Sequence, residues 1–312
     1  MQNKFICVII YSIKGVFMAE LKLFKVGNEV KELKSSSATI EKELQNTIEK
    51  NMYDFFGVRF LQSEYRIDNG RMDSIGIDEN NCPVIFEYKC HSNENVINQG
   101  LFYLNWLLEH KANFKLLVIE KLGIKEAEEI DWSMPRVICI AGDFNKYDEE
   151  AIKQINRNVS LIRYKKYEND LLLFELLNTN TVAPLETEKD VISKKQIDKT
   201  FTEQYENAPT KFKNIFNELK EFALSLGDDV SDNTLKLYMA FKKIKNFATM
   251  EIYQSKILIN FKLNPDNFQL TESLRDVRSI GHWGCGDLQL IIKSEKELEL
   301  AKTLLQKAYE EN

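Results

Sequence analysis

Residues 70–89 read GRMDSIGIDENNCPVIFEYK, and their pattern is the main indication of the fold of the first half of the chain. Two short apolar segments flank a polar turn, and carboxylates stand where an ordinary strand carries Val or Thr. Strand alternation places Asp73 on the face of Ile75 in the first segment, and Glu87 with Lys89 on one face of the second. The stretch therefore predicts a β-hairpin with an acidic residue in each strand.

The turn sets the register of this hairpin. If Glu79, Asn80 and Asn81 form a three-residue turn with an Asn in the left-handed position, Asp73 lies opposite Glu87, with Cβ atoms roughly 5 Å apart. Two facing carboxylates repel, and one pKa rises unless a cation lies between them. A hard, oxygen-preferring ion such as Mg²⁺ removes the conflict, and a lysine two residues further on adds a cationic group. The hairpin is therefore a candidate metal site for phosphate chemistry.

Composition limits the class of protein. The 312 residues predict two domains, and the net charge of −6 argues against a generally basic protein that coats nucleic acid. A nuclease remains compatible, because acidic metal ligands and a local basic groove can coexist. Five scattered cysteines without a CxxC pair and only three histidines argue against a zinc site or a disulfide framework. A reduced, cytoplasmic chain is expected.

The N-terminal segment, residues 1–17, contains a short apolar stretch. The apolar stretch 5–11 is too short to span a bilayer and lacks a small-x-small cleavage site. Residues 14–16 (KGV) can be encoded by AAA-GGA-GTG, a bacterial ribosome-binding sequence, just before Met18. We therefore hypothesise that translation starts at Met18 and that residues 1–17 are a leader that is either not translated or disordered. A purine-poor stretch in the gene would refute this hypothesis.

A helix is predicted over residues 38–51, ahead of the hairpin, from apolar residues that recur every four positions after Ile40. Glu43 lies three residues after Ile40 and is predicted to border the buried stripe, whereas Glu41 is predicted to point more towards solvent. Glu43 is then either a boundary residue with its head in water or a residue that reaches the carboxylate pair.

A second helix is predicted over residues 94–110, after the hairpin. One of its faces carries Gln99, Tyr103, Trp106 and His110. A Gln on such a stripe needs hydrogen-bond partners if it is buried. Gln99 is therefore either a satisfied core amide or a contact to a metal-bound water or a phosphate.

The remaining pattern divides the chain into two domains. Central strands are predicted at 116–119 and 137–141, a helix at 148–157, and further strands at 159–167 and 171–177. These segments complete an α/β domain over residues 18–180. The polar, aperiodic stretch 181–200 is predicted to be a linker, and residues 201–312 a second domain.

The Glu-x-Lys pair gains meaning only from its surroundings. The chain contains this pattern six times, but only Glu87 and Lys89 lie in a predicted strand with an acid on the strand before it. With Glu43 before the hairpin and Gln99-x-x-x-Tyr103 after it, the order of elements resembles the PD-(D/E)XK nuclease superfamily, particularly its RecB-like and NucS-like branches. The resemblance is close over residues 39–103 and looser to about 177.

The resemblance implies a fold and a set of roles. The fold is a restriction-endonuclease-like α/β mixed sheet flanked by helices, here with a smaller C-terminal α+β domain. The implied roles are a supporting helical acid (Glu43), metal ligands (Asp73, Glu87 and the main-chain carbonyl of Tyr88), a water-positioning lysine (Lys89) and contacts to DNA or the site (Gln99 and Tyr103). The proline of the superfamily's name is absent, since residues 70–73 read GRMD.

The implied activity is hydrolysis of phosphodiester bonds with Mg²⁺ or Mn²⁺. A deoxyribonuclease of the endonuclease type is expected, acting in repair, restriction or defence and not at a membrane. RNA as a substrate and homodimer formation stay open. The alternatives are a non-catalytic nucleic-acid- or ligand-binding protein on a nuclease-like fold, and an inert cluster of ion pairs on a sheet.

Residues 201–312 resemble an uncharacterised domain often labelled "predicted transport protein". The label has no physical support, because the sequence has no membrane-spanning stretch. A helix is predicted from Pro209, strands at 248–253, 257–263 and 288–292, and a capping box at Ser294 and Glu297. His282 and Cys285 could suggest a catalytic pair, but a tight glycine-rich turn that packs Trp283 is the favoured interpretation.

Overall fold

The structure is a computed structural model that describes residues 5–10, 21–26, 28–36, 41–89, 96–168, 170–180, 200–282 and 284–312. The elements of the first part of the chain, in order, are β1 (Phe5–Ile10), β2 (Leu21–Val26), β3 (Val30–Leu33), β4 (Ser35–Ser36), α1 (Glu41–Lys50), α2 (Met52–Phe56), β5 (Val58–Ile67), β6 (Gly70–Asp78), β7 (Pro83–Lys89), α3 (Val96–Glu109), α4 (Lys111–Lys121), α5 (Ile124–Glu128), β8 (Arg136–Ala141), α6 (Lys146–Ile152), β9 (Asn158–Tyr167) and β10 (Leu171–Asn180).

One mixed sheet organises this part of the chain. Its strand order is β10-β9-β8-β7-β6-β5, with the short β4 pairing with β9. The β7–β8 and β8–β9 pairs are parallel and the others antiparallel. Parallel neighbours need a crossover connection, and the connections from β7 to β8 and from β8 to β9 carry α3 to α6. One sheet face packs on α3 through Leu104 and Leu107, and the opposite face packs on α1 through Leu44 and Ile48. The predicted mixed sheet flanked by helices is confirmed.

The hairpin formed by β6 and β7 has the predicted register. Ser74 pairs with Phe86 and Ile75 with Ile85, which places Asp73 opposite Glu87. Asn81 has a φ of 59° and occupies the left-handed position of the turn. Turn chemistry and alternation were sufficient here because both are local properties of the sequence.

The central strand predicted at 116–119 is wrong, because these residues lie within α4. Phe114, Leu117 and Val118 are buried, whereas Leu116 is 65% exposed, as expected for one face of a helix. A run of four apolar residues does not by itself distinguish a buried strand from a helix. The run at 137–141 does form a strand, β8.

The N-terminal segment contributes a separate small sheet of β1, β2 and β3. β1 lies within the stretch predicted to be a leader and pairs antiparallel with β2. Met18 and the body of the predicted linker, residues 181–199, lie outside the described residues. The hypothesis of a start at Met18 stays a prediction.

The second part of the chain is a smaller α+β domain, as predicted. Its elements are α7 (Phe201–Asn207), α8 (Thr210–Ser225), β11 (Ser231–Thr234), β12 (Met239–Lys242), β13 (Asn246–Ile252), β14 (Ile257–Phe261), β15 (Leu274–Asp276), β16 (Leu288–Ile292) and α9 (Leu298–Glu311). The strands form an antiparallel sheet in the order β11-β12-β13-β14-β16-β15, and one face packs on the three helices. The capping box of Ser294 and Glu297 is confirmed.

The glycine-rich stretch before β16 is a tight turn, as predicted. Gly284 and Gly286 have φ values of 84° and 111°, which only glycine adopts without strain. Burial raises the pKa of the Cys285 thiol to about 12, the opposite of what an activated nucleophile needs. His282 Nδ1 lies 2.9 Å from the main-chain oxygen of Ile280. Trp283 lies outside the described residues.

Among the described residues, no helix combines the length and apolar character needed to cross a membrane.

Candidate metal centre

Each acid of the hairpin accepts a hydrogen bond from the main chain of the opposite strand. Asp73 Oδ2 accepts a hydrogen bond from the main-chain N–H of Tyr88 at 3.0 Å. Glu87 Oε1 accepts from the main-chain N–H of Asp73 at 3.2 Å. These bonds fix both carboxyl groups on one side of the hairpin, at the end away from its turn.

Both carboxyl groups are destabilised in their charged form. Glu87 is 1% exposed, and burial, reinforced by the charge of Asp73, raises its pKa to about 9. Burial also raises the pKa of Asp73, although its hydrogen bond from Tyr88 opposes the change. A divalent cation between them would favour both ionised forms. The donor set therefore fits a hard metal ion.

The set of protein ligands is small. No group of three or more His, Cys, Asp and Glu side chains suited to a metal occurs in the described parts of the chain. Two carboxylates suffice for Mg²⁺, because this ion commonly keeps several waters and takes further oxygens from substrate phosphates. A main-chain oxygen such as that of Tyr88 is chemically suited to the same role.

Lys89 is oriented by an acid of α1. Its Nζ lies 3.6 Å from Glu41 Oε1, and the Lys89 side chain is only 12% exposed. The charge of Lys89 opposes the rise in the pKa values of Asp73 and Glu87, which places its ammonium in the electrostatic range of both. The centre therefore combines two acids and a nearly buried cation.

The predicted orientation of the two acids of α1 is wrong, because the side chain of Glu43 is more exposed than that of Glu41, at 54% against 39%. The Glu43 side chain is 54% exposed and its Oε1 accepts from Lys166 Nζ at 2.9 Å. The buried face of α1 is formed by Leu44, Gln45 and Ile48, so the residue one turn before Gln45 faces the sheet. That residue is Glu41.

Sequence reasoning missed a buried polar network beneath the hairpin. Gln45, which is 3% exposed, donates from Nε2 to the main-chain oxygen of Asp73 at 2.8 Å. Glu49 Oε1 accepts from Ser74 Oγ at 2.7 Å, and Ser74 Oγ accepts from the Tyr88 hydroxyl at 3.2 Å. The spacing of four residues from position 41 to 45 to 49 was the available signal. The network fixes both strands that carry the acids.

Gln99 and Tyr103, both on α3, have different surroundings. Gln99 is exposed, so its interpretation as a satisfied core amide is wrong. Tyr103 is 7% exposed and its hydroxyl accepts from the main-chain N–H of Arg71 at 3.3 Å. A Cβ at Gly70 would lie 2.8 Å from Tyr103 Cε1, which explains the glycine at this close approach. Tyr103 supports the start of β6.

Exposed positive charge lies near the acids. Arg71, two residues before Asp73, has a side chain that is 55% exposed and pairs through Nη1 with Glu64 Oε2 at 2.5 Å. Lys42 Nζ binds the other oxygen of Glu64 at 2.9 Å. The pair of cations is held beside the centre by one shared carboxylate, whose pKa is lowered, chiefly by its hydrogen bond from Lys42.

Together these features define an α/β protein with a candidate metal centre at one end of a central hairpin. The chain is 31% identical over 291 residues to an uncharacterised protein of Haemophilus influenzae, and the match covers 90% of this chain and 96% of that protein. The chain belongs to the same family as this protein. Residues 201–312 match the family described as "Domain of unknown function (DUF5655)". Among solved structures, it is similar to a repair endonuclease from Pyrococcus abyssi, with 12% identity, a TM-score of 0.28, and coverage of 47% of this chain and 79% of that chain.

Proposed function

We propose that the protein is a metal-dependent nuclease that hydrolyses internal phosphodiester bonds, with DNA as the expected substrate. The observation that carries the proposal is the buried pair of Asp73 and Glu87 facing each other across β6 and β7, with Lys89 on the same side. Two carboxyl groups with raised pKa values fit a divalent cation better than they fit a metal-free fold.

Asp73, Glu87 and the main-chain oxygen of Tyr88 would hold Mg²⁺ or Mn²⁺. When bound, the cation supplies an acidified water and offsets charge on the phosphate and on the departing oxygen. The network of Gln45 and Glu49 keeps the two strands in register, so the carboxyl oxygens need not reorganise when a substrate binds.

Lys89 is the residue proposed to act on the attacking water. Its ammonium donates hydrogen bonds and has no acceptor, so it can hold the water and offset negative charge that develops on the phosphate. Glu41 lies 3.6 Å from Lys89 Nζ and restricts the direction of this flexible side chain. We therefore propose Glu41, in place of Glu43, as the helical acid that supports the site.

Substrate contacts are proposed for two exposed positions. Arg71 lies two residues from Asp73 and its guanidinium suits a backbone phosphate. Gln99 is exposed on α3 and can reach outward to a substrate. Tyr103, which is buried against Gly70 and Arg71, acts through the position of β6.

The test is cleavage of a panel of labelled DNA and RNA substrates in Mg²⁺, Mn²⁺ and EDTA. We expect metal-dependent cutting by the wild type and loss of cutting in Asp73→Ala and Lys89→Ala. Lys31→Ala is the matched control, because Glu29 and Lys31 repeat the Glu-x-Lys pattern and the Lys31 side chain is 68% exposed.

Retained cutting in both Asp73→Ala and Lys89→Ala would overturn the assignment of the site. Binding of nucleic acid without any metal-dependent cutting by the wild type would instead support a non-catalytic binding protein. Circular dichroism of each variant shows whether the loss of cutting reflects unfolding.

A further inference from the structure

The turn of the hairpin, at the end away from the metal centre, docks on the second domain. Glu79 accepts from the main-chain N–H of Asn246 at 3.2 Å and pairs with Lys262. Asn80 Oδ1 accepts from the Tyr238 hydroxyl at 3.1 Å and from Asn246 Nδ2 at 2.7 Å. Side chains of the hairpin turn therefore form part of the interface between the two domains.

A small polar cavity lies within this interface. Its volume is about 10 Å³, which is room for about one water-sized particle. It is lined by the first domain through Asp78, Arg136, Asn158 and Ser160, and by the second domain through Asn233 and Lys242. All six residues are less than 10% exposed, so the cavity is a buried site to which both domains contribute.

The one carboxylate among these residues is already engaged. Asp78 Oδ1 accepts from the main-chain N–H groups of Asn80 and Cys82 at 2.9 and 3.0 Å. Asp78 Oδ2 lies 3.3 Å from Arg136 Nη2, which balances its charge. Arg136 nevertheless keeps an unused donor, because its buried Nε has no hydrogen-bond partner among the described residues.

Lys242 adds a second buried cation without an acidic partner. Asp78 acts on Lys242 electrostatically, but its carboxylate forms its ion pair with Arg136. With the Asn233 amide oriented to satisfy both of its ends, Asn233 Oδ1 accepts from Lys242 Nζ at 3.2 Å. An ammonium has three donors, so this single amide leaves it poorly satisfied.

A buried cation without a counter-charge is costly. Burial, reinforced by the charge of Arg136, lowers the pKa of Lys242 to about 7. Asp78 contributes one negative charge, while Arg136 and a protonated Lys242 contribute two positive ones. The described residues that line the cavity therefore carry one positive charge in excess whenever Lys242 is protonated.

We propose that this cavity binds a single monatomic anion of the chloride type, held between Lys242 Nζ and the Arg136 guanidinium. The small volume favours a monatomic anion over a polyatomic one such as phosphate, and the bound charge offsets the excess positive charge of Arg136 and protonated Lys242. Because both domains supply cationic groups, the anion stabilises the docking of the second domain on the hairpin turn. The proposal is independent of the nuclease activity.

The first experiment uses the full chain and replaces chloride by gluconate at constant ionic strength. We expect the midpoint of thermal unfolding to rise in a saturable way as chloride increases. Lys242→Met, which keeps an unbranched side chain of similar length, should weaken the apparent chloride affinity by at least about tenfold. Lys236→Met is the control, because Lys236 is an exposed lysine of the same domain and its substitution removes the same charge.

The second experiment soaks crystals of the wild type in bromide and records anomalous scattering. We expect one peak between Arg136 and Lys242, and this result does not depend on the stability of a variant. An ordered water with no bromide signal at this position would overturn the proposal. An equal chloride response in wild type and in Lys242→Met would also overturn it, since a general salt effect acts on both proteins alike.

Discussion

Replacement of Glu87 by Gln is expected to stabilise the metal-free protein at neutral pH. The pKa of Glu87 rises from 4.5 to about 9 on folding, so the folded state keeps this group protonated at pH 7 while the unfolded chain ionises it. A raised carboxyl pKa contributes stability that is complete below the unfolded pKa and is lost as the pH rises towards the folded pKa. At pH 7 the folded state must protonate Glu87 against its unfolded pKa of 4.5. At 1.36 kcal/mol per pKa unit, this lowers the free energy of unfolding by about 3 kcal/mol.

The window from pH 5 to pH 7 lies between the unfolded and the folded pKa of Glu87. The wild type should lose about 2–3 kcal/mol more unfolding free energy than Glu87→Gln across this window, because the amide does not titrate. Lys242, with its pKa lowered to about 7, changes the unfolding free energy mainly above pH 7, since below that pH it is protonated in both states.

The assay is urea unfolding in EDTA at pH 5, 6 and 7, followed by circular dichroism. Glu128→Gln, a substitution of an exposed glutamate on α5, is the matched control and should follow the wild type. Addition of Mg²⁺ at pH 7 should stabilise the wild type but not Glu87→Gln. Equal pH slopes in the wild type and Glu87→Gln, or a loss of stability in the variant at pH 7, would contradict a raised pKa at Glu87.

Three further substitutions test the surroundings of the centre. Glu41→Gln should lower the rate of DNA cleavage by about 10- to 100-fold while Glu43→Gln stays close to the wild type, and the opposite ranking would restore Glu43 as the supporting acid. Arg71→Gln should weaken DNA binding for all sequences and reduce the slope of log K against log salt by about 1, as measured by fluorescence anisotropy; an unchanged slope would exclude a phosphate contact. Gln45→Ala should lower the free energy of unfolding by about 1–3 kcal/mol in urea titrations, because it leaves the buried Asp73 carbonyl without this donor, whereas a change within error would show that the bond contributes nothing.

The hairpin could be predicted from the sequence because its determinants are local. Strand alternation fixed the faces of β6 and β7, and the Asn81 turn fixed which residues face each other. The face of α1 could not be fixed in the same way. Adjacent helix positions differ by about 100° in direction, so the choice between Glu41 and Glu43 depends on how α1 packs against the sheet.

The other wrong or missing predictions arise where the local pattern is ambiguous, too short or absent. The run at 116–119 is apolar in either a strand or a helix, and only its packing as part of α4 decides between them. β11 and β12 were not predicted, because four-residue strands carry too little periodicity. The cavity at Arg136 and Lys242 joins residues more than 100 positions apart, so no sequence pattern marks it.

An inert cluster of ion pairs is a poor account of the acids in the hairpin. In a stabilising ion pair the cation lowers the carboxyl pKa below its usual value, whereas burial and mutual repulsion raise the pKa values of both Asp73 and Glu87. Lys89, which pairs with Glu41, does not reverse these shifts. The metal-free fold therefore carries a cost of about 3 kcal/mol at Glu87 at pH 7, which the side chains in the described parts of the chain do not cancel. Buried groups whose charged forms are destabilised in this way are concentrated at functional sites. A divalent cation bound between the two carboxylates would stabilise their charged forms and so remove this cost.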